Sequence, residues 1–190
     1  MVDSELVMIV EFCGYRSLQH QLSTYKEGGL PEQLIRHLCD DITAALIHAH
    51  SRQIANLEIS PATIYITADG VFKLGKFRNT GENMVVGLGK VLYEVCTRKE
   101  YVGRFDFSSQ YSEDLTMLVK KMVEGKLSAT QVKEITKKWP KHANRAALAA
   151  LNLQQIADFN TVDLKTSTLA TDHLALERDS IQLITIGSEY

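Results

Sequence analysis

Residues 50–77, HSRQIANLEISPATIYITADGVFKLGKF, hold three local instructions in succession. His50-Ser51-Arg52 ends a helical pattern that starts near Glu32. An irregular stretch comes next, turning at Pro61. Ile64-Tyr65-Ile66-Thr67 and Val71-Phe72-Lys73-Leu74 are then two β-prone runs on either side of Ala68-Asp69-Gly70, which reads as a hairpin closed by a Gly-containing turn. A long helix therefore feeds a loop, and the loop feeds a small hairpin.

Outward from this stretch the chain is helical. Leu34, Ile35, Leu38, Ile42, Ala45, Leu46 and Ala49 recur at spacings of three and four, so Glu32 to Arg52 is an amphipathic helix with one buried stripe. Pro31 suits its first turn. A helix from Ser17 to Glu27 precedes it, stopped by Gly28-Gly29. A third long helix spans Glu82 to Thr97, and two shorter ones fill 112 to 138. Leu6-Val7-Met8-Ile9-Val10 reads as a strand. In the last fifty residues, Ala143 to Phe159 has an imperfect helical stripe through Ala147, Leu148, Leu151, Ile156 and Phe159. Leu174 to Ile186 is apolar enough to pack as helix or as strand. The domain reading is 1–140 and a helical C-terminal extension, 141–190.

With 190 residues, 45% of them hydrophobic, the chain can bury one fair core. Its 21 basic and 23 acidic residues give a formal charge of −2, with no electrostatic footprint for nucleic acid or an anionic membrane. Lys120-Lys121 and Lys137-Lys138 read as solvated helix faces. Cys13, Cys39 and Cys96 sit in apolar surroundings without C-x-x-C spacing, and read as small buried hydrophobes of a reducing compartment. No apolar run reaches the length of a membrane helix and the acidic start is no signal peptide, so the cytoplasm is expected. His48 and His50 are two apart, not the i, i+4 spacing that puts two ligands on one helical face, and no metal or cofactor is expected there.

The quoted stretch resembles the catalytic segment of Ser/Thr protein kinases, H-S-R-G-I-I-H-R-D-L-K-P-E-N-I-L-L followed by a turn and V-K-L-A-D-F-G. His50-Ser51-Arg52 and Pro61 align without a gap. The His-Arg-Asp of the family then falls on Asn56, Leu57 and Glu58, the following Lys and Asn on Ser60 and Thr63, and Asp-Phe-Gly on Lys76, Phe77 and Arg78. Val85 to Thr97 resembles D-I-W-S-L-G-V-I-L-Y-E-L-L-T, with Met84 in place of the leading Asp. Ser112 to Val123 resembles S-P-E-A-K-D-L-I-K-K-L-L, and Ser128 to Pro140 a closing helix that ends at Trp139. Leu6 to Phe12 is similar to the last N-lobe strand running into the hinge. The resemblance covers residues 6–140 and implies a mainly α, C-lobe-like domain with a short hinge strand and a hairpin.

Phosphoryl transfer relies on positioning and on metal ions that neutralise phosphate charge. In the resemblance, Thr63 offers a hydroxyl in place of an amide oxygen, and Lys76 puts a cation where a carboxylate would hold magnesium. Glu58 keeps a carboxylate at the base position, longer by one methylene, and a displacement of about 1 Å can lower a rate roughly 10²-fold. The Gly-rich loop and its partner lysine would lie before Leu6. The expectation is a pseudokinase without an N-lobe, not an enzyme, with Arg78 paired to Glu58 across a filled cleft. Its function would be protein binding or scaffolding. Two alternatives are a metal-independent nucleotide binder using Lys76 and an architectural subunit of a larger assembly. Leu6, Val7, Met8, Ile9 and Val10 are the candidate partner-binding residues. An unpaired apolar strand invites a protein partner, a second copy, or the chain's own residues 143–186 to pair with it. Leu38, Ile42, Leu46, Ile64, Ile66, Leu88, Leu92 and Leu118 are expected in the core, with Tyr93, Trp139 and Phe77 as further candidates.

Overall fold

The structure, a computed structural model, describes residues 6–9, 11, 13–24, 28–54, 56–75, 80–139 and 183–186. Its elements in chain order are β1 (Leu6–Ile9), α1 (Leu18–Thr24), α2 (Glu32–Ser51), β2 (Ile64–Ile66), β3 (Phe72–Leu74), α3 (Met84–Thr97), α4 (Glu113–Val123), α5 (Ala129–Thr136) and β4 (Leu183–Ile186). The fold class is mainly α.

Helix α2 is the hub. Its stripe of Leu34, Ile35, Leu38, Ile42, Leu46 and Ala49 is buried as the periodicity predicts, and Cys39 and Thr43 join it, while Ala45 is only partly covered. Burying each large side chain contributes about 1.5 to 3 kcal/mol, so this stripe alone anchors the fold. Pro31 stands one residue before the helix, with φ −55° and ψ 137°, rather than in its first turn. On the polar flank, Asp41 Oδ2 accepts the N–H of Phe72 at 3.0 Å, which ties the hairpin to the helix. Beside it in the chain, Asp40 Oδ1 accepts from Lys133 Nζ at 2.6 Å and Thr136 Oγ1 at 2.9 Å, which docks α5.

Helix α3 is apolar over most of its circumference, as a helix packed on several sides must be. Val85, Leu88, Val91, Leu92, Tyr93, Val95 and Cys96 are buried. It begins at Met84, two residues later than the expected Glu82. The reason is Asn83, whose Oδ1 accepts the N–H groups of Val85 (2.9 Å) and Val86 (3.4 Å) and so caps the first turn. Gly87 and Gly89 are two apart, about 200° around the helix at 3.6 residues per turn, and therefore face opposite ways. A Cβ on Gly87 would stand 3.1 Å from Ile59 Cβ, and one on Gly89 would stand 2.9 Å from both Met122 Cβ and the backbone N of Val123. The two glycines let the loop before the hairpin and helix α4 both close on α3.

Helices α4 and α5 start at side-chain caps. Ser112 Oγ accepts from the Leu115 N–H, and Ser128 forms a capping box with Gln131. Burial selects Leu115, Leu118, Val119 and Met122 from α4 and Val132 and Thr136 from α5. Trp139, beyond α5, is partly buried with the Arg36 guanidinium 4.4 Å from its ring centroid. Lys121, Lys137 and Lys138 are exposed, whereas Lys120 is half-buried.

The hairpin pairs Ile64 with Leu74, Tyr65 with Lys73 and Ile66 with Phe72, one residue shorter at the turn on each strand than the β-prone runs. The first and last strands also find each other. β1 and β4 are antiparallel, with Leu6 opposite Ile186, Val7 opposite Thr185, Met8 opposite Ile184 and Ile9 opposite Leu183. The described part of the C-terminal extension is thus strand, not helix, because backbone pairing with β1 selects between the two conformations that its apolar residues allow. The stripe from Ala143 to Phe159, and Val10 at the end of the opening run, lie outside the described residues.

All eight predicted core leucines and isoleucines are buried, and so is Tyr93. Phe77 lies outside the described residues. The helix expected from Ser17 to Glu27 spans Leu18–Thr24 among the described residues, because Ser17 instead forms an antiparallel bridge with Tyr65. The long helix ends at Ser51, with Arg52 as its C-cap. Cys39 and Cys96 are buried, but Cys13 is only partly covered, since it lies on a non-helical segment beside exposed Glu11 and not on a helical stripe. No helix of the described residues is long and apolar enough to cross a membrane.

Candidate functional site

The loop between α2 and β2 carries the residues singled out from the sequence. Leu57 and Ile59 are buried and pin it to the core, leaving the alternate positions, Asn56, Glu58 and Ser60, nearer to solvent. The loop is entered through two left-handed residues, Gln53 at φ 60° and Asn56 at φ 58°.

Thr63 organises the turn that closes this loop. Its buried Oγ1 accepts the N–H of Ser60 at 3.0 Å and shares its own proton between the carbonyls of Glu58 (3.0 Å) and Ser60 (3.1 Å). A second turn bond runs from the Thr63 N–H to the Ser60 carbonyl at 3.0 Å. A hydroxyl that both accepts and donates satisfies buried backbone groups that would otherwise each lose a hydrogen bond. Here Thr63 acts as a loop staple. Pro61, beside it, accepts the N–H of Gln19 through its carbonyl at 2.9 Å, joining the loop to α1.

Glu58 is half-buried, and its Oε1 accepts from Ser60 Oγ at 3.3 Å. Lys76, Phe77 and Arg78 lie outside the described residues, and with them the expected Arg78–Glu58 pair and the lysine on which the nucleotide reading rests. Their neighbours on either side are both bonded to the same loop: the Gly75 N–H donates to the Thr63 carbonyl at 2.8 Å, and the Thr80 N–H to the Asn56 carbonyl at 2.9 Å. The structure therefore brings Asn56, Glu58, Ser60 and Thr63 together on one stapled loop flanked by Gly75 and Thr80. Among the described residues no group of three or more His, Cys, Asp or Glu side chains is placed to hold a metal ion.

A second polar cluster was not singled out from the sequence. Glu32, at the start of α2, accepts the Ser112 N–H (2.7 Å), Ser112 Oγ (2.7 Å) and Arg36 Nε (2.8 Å). Burial alone would raise the Glu32 carboxyl pKa, but the bonds from Ser112 and Arg36 outweigh it and hold the carboxyl below its usual range. Ser112 before Glu113-Asp114 has the local pattern of a helix N-cap, a signal that could have pointed to it. Its pairing with a carboxylate eighty residues earlier carries no such local signal. Glu94 behaves oppositely: partial burial, reinforced by the charge of Glu100 and opposed by Arg98, raises its pKa. The thiols of Cys39 and Cys96 are both pushed up to about 12 by burial, which leaves them protonated and inert.

No family model matches the chain. It is similar to misshapen-like kinase 1 of Rattus norvegicus, 28% identical over 75 residues, which is 40% of this chain and 6% of that protein. It is similar to serine/threonine-protein kinase mig-15 of Caenorhabditis elegans, 29% identical over 73 residues, 38% of this chain and 7% of that protein. A probable protein kinase of Dictyostelium discoideum is 38% identical over 74 residues, 36% of this chain and 21% of that protein. The chain thus spans between 6% and 21% of the length of these relatives. The expectation that the chain is not an enzyme is corrected by these likenesses, because all three relatives are named as kinases. Two of the exchanged positions on which that expectation rested, Lys76 and Arg78, are also not among the described residues. What the comparisons support is a kinase-like relation over 36% to 40% of the chain in these three relatives.

Proposed function

We propose that the chain is a protein-binding module built on a kinase-like framework, and that β1 takes part in the binding. The observation that carries this reading is the β1–β4 ladder, two strands of four residues each. A two-stranded ladder is marginal in water by itself, and three or more strands, or packing against a helix, are needed for independent stability. Among the described residues no third strand joins it. Each strand therefore has an edge where an extended segment of a partner can add, with backbone hydrogen bonds supplying affinity and alternate side chains supplying specificity. The stapled loop and the α2 hub provide a preformed body, so such binding need not include the ordering of the helical domain. The free thiols of Cys13, Cys39 and Cys96 suit a reducing compartment, and we place the module in the cytoplasm on that ground.

Hydrogen exchange on Leu6 to Ile9 tests the reading. Successive amides along a strand point to opposite edges, so half of these N–H groups face β4 and half face away. In the purified chain only the first set is expected to be protected, and in the assembly isolated from cells the second set as well. Outward amides that exchange equally fast in both preparations would remove the basis for assigning a partner to this edge.

A further inference from the structure

The connection from α3 to α4, residues 98–112, has no regular secondary structure, yet its aromatic side chains are packed in a defined cluster. Tyr93, buried on α3, meets Tyr101, Phe105 and Phe107 edge-on, with ring centroids at 5.4, 5.9 and 5.3 Å. Tyr101 and Phe105 lie 4.9 Å apart, and Phe105 and Phe107 stack within 9° of parallel at 5.9 Å. Edge-to-face and offset ring pairs attract one another beyond the area they bury, which helps to order a segment that lacks backbone ladders. Only Tyr93 of the four is buried. The other three are partly covered, so ring surface reaches solvent, and next to them Val102 is 81% exposed at a bend completed by Gly103, φ 90°.

The charges around this surface are uneven. Lys99 and Asp106 neutralise each other in an ion pair at 3.0 Å. There remain the cations Arg98, Arg104 and Lys120, the last with Nζ 5.9 Å from the Phe105 ring centroid, against the exposed carboxylate of Glu100 and the half-buried one of Glu94, which lies close enough to Arg98 and Glu100 to feel both charges. On a chain whose formal charge is −2, this is a locally cationic, aromatic surface. Aromatic rings and Arg with an apolar centre and a charged rim are the composition of an interface anchor.

We propose that residues 98–107 together with Lys120 form a docking surface for a partner protein, which engages it through a short segment carrying a bulky apolar side chain flanked by Asp or Glu. The apolar side chain packs on Val102 and the outward faces of Tyr101 and Phe105, and the flanking carboxylates meet Arg98, Arg104 and Lys120. The surface is distinct from the β1 edge, so it stands or falls separately from the module function proposed above.

The test is a fluorescence-polarisation titration of the full chain with two sets of labelled nonapeptides. Each has Leu, Phe or Trp at the centre, flanked by Glu in one set and by Lys in the other. The acidic set is expected to bind and the basic set not to. Val102→Asp and Arg104→Glu alter exposed side chains and leave the unfolding midpoint in place, and each should weaken the acidic peptides about tenfold, as loss of an interface anchor does. Met8→Pro, on the β1 edge, should leave this binding unchanged. Equal binding of both sets, no binding of either, or indifference to Val102→Asp and Arg104→Glu would overturn the proposal. So would tighter binding of a single-stranded RNA oligonucleotide or of phosphatidylserine vesicles than of the acidic peptides, since either would assign the surface to another kind of ligand.

Discussion

Gln53 and Arg98 each hold a backbone φ of 60°, a conformation that crowds Cβ against the following carbonyl and that glycine adopts freely. Gln53 opens the stapled loop, and in the kinase resemblance it stands where the family has Gly. Arg98 is the left-handed C-cap of α3, a position that glycine commonly occupies. Gln53→Gly and Arg98→Gly are therefore each expected to raise stability by up to about 1 kcal/mol, read as a higher urea midpoint at unchanged slope. Asn56, at φ 58°, should gain less from the same exchange because Asn tolerates the left-handed region. A lower midpoint for Gln53→Gly would contradict the backbone conformation at the loop entry.

At the scale of elements, the α3–α4 contact depends on the missing side chain at Gly89. Alanine would favour the helix by about 1 kcal/mol on propensity alone. Its Cβ would, however, stand 2.9 Å from the Val123 backbone N, an atom that cannot move without shifting α4. Overpacking of this kind typically costs about 1 to 3 kcal/mol, so Gly89→Ala is expected to lower the unfolding midpoint. Gly87→Ala should be milder, because the atom it meets, Ile59 Cβ at 3.1 Å, belongs to a loop that can yield by a few tenths of an ångström. Equal effects of the two exchanges would mean that the helix and the loop resist displacement alike.

At the scale of the whole molecule, two carboxylates give opposite responses to pH. Glu32 joins α2 to the first turn of α4, and its pKa is lowered on folding. Its contribution is therefore complete above the unfolded carboxyl range and is lost as pH falls through the folded value. Glu32→Gln should be destabilising at pH 7, by about 1 kcal/mol, and progressively less so as pH falls below the usual carboxyl range. Glu94 is raised on folding, so the folded state favours its neutral form, and a penalty develops as pH rises past the usual carboxyl range. Glu94→Gln should accordingly raise the thermal midpoint at pH 7 and leave it unchanged in acid. Midpoints of both variants between pH 3 and 8 check the two signs together.

Much of this architecture was legible in the order of residues. The stripe of α2, the apolar α3 and the Asp69-Gly70 turn are patterns within one element, where period and turn chemistry act over a few residues. The same local logic found the core and placed the loop from Asn56 to Thr63 between helix and hairpin. What that loop does internally depends on a single hydroxyl, Thr63, reaching groups whose positions are set only by the folded turn. Glu32 and Ser112 meet because α2 and α4 pack, and Tyr93 gathers three rings from a connection without periodicity. The pairing of Leu6–Ile9 with Leu183–Ile186 is the extreme case. By itself each segment determines only an apolar, β-capable run, and helix or strand stays open for the second of them. Backbone hydrogen bonds between opposite ends of the chain make that choice, and such bonds exist only once tertiary structure has closed the loop between them.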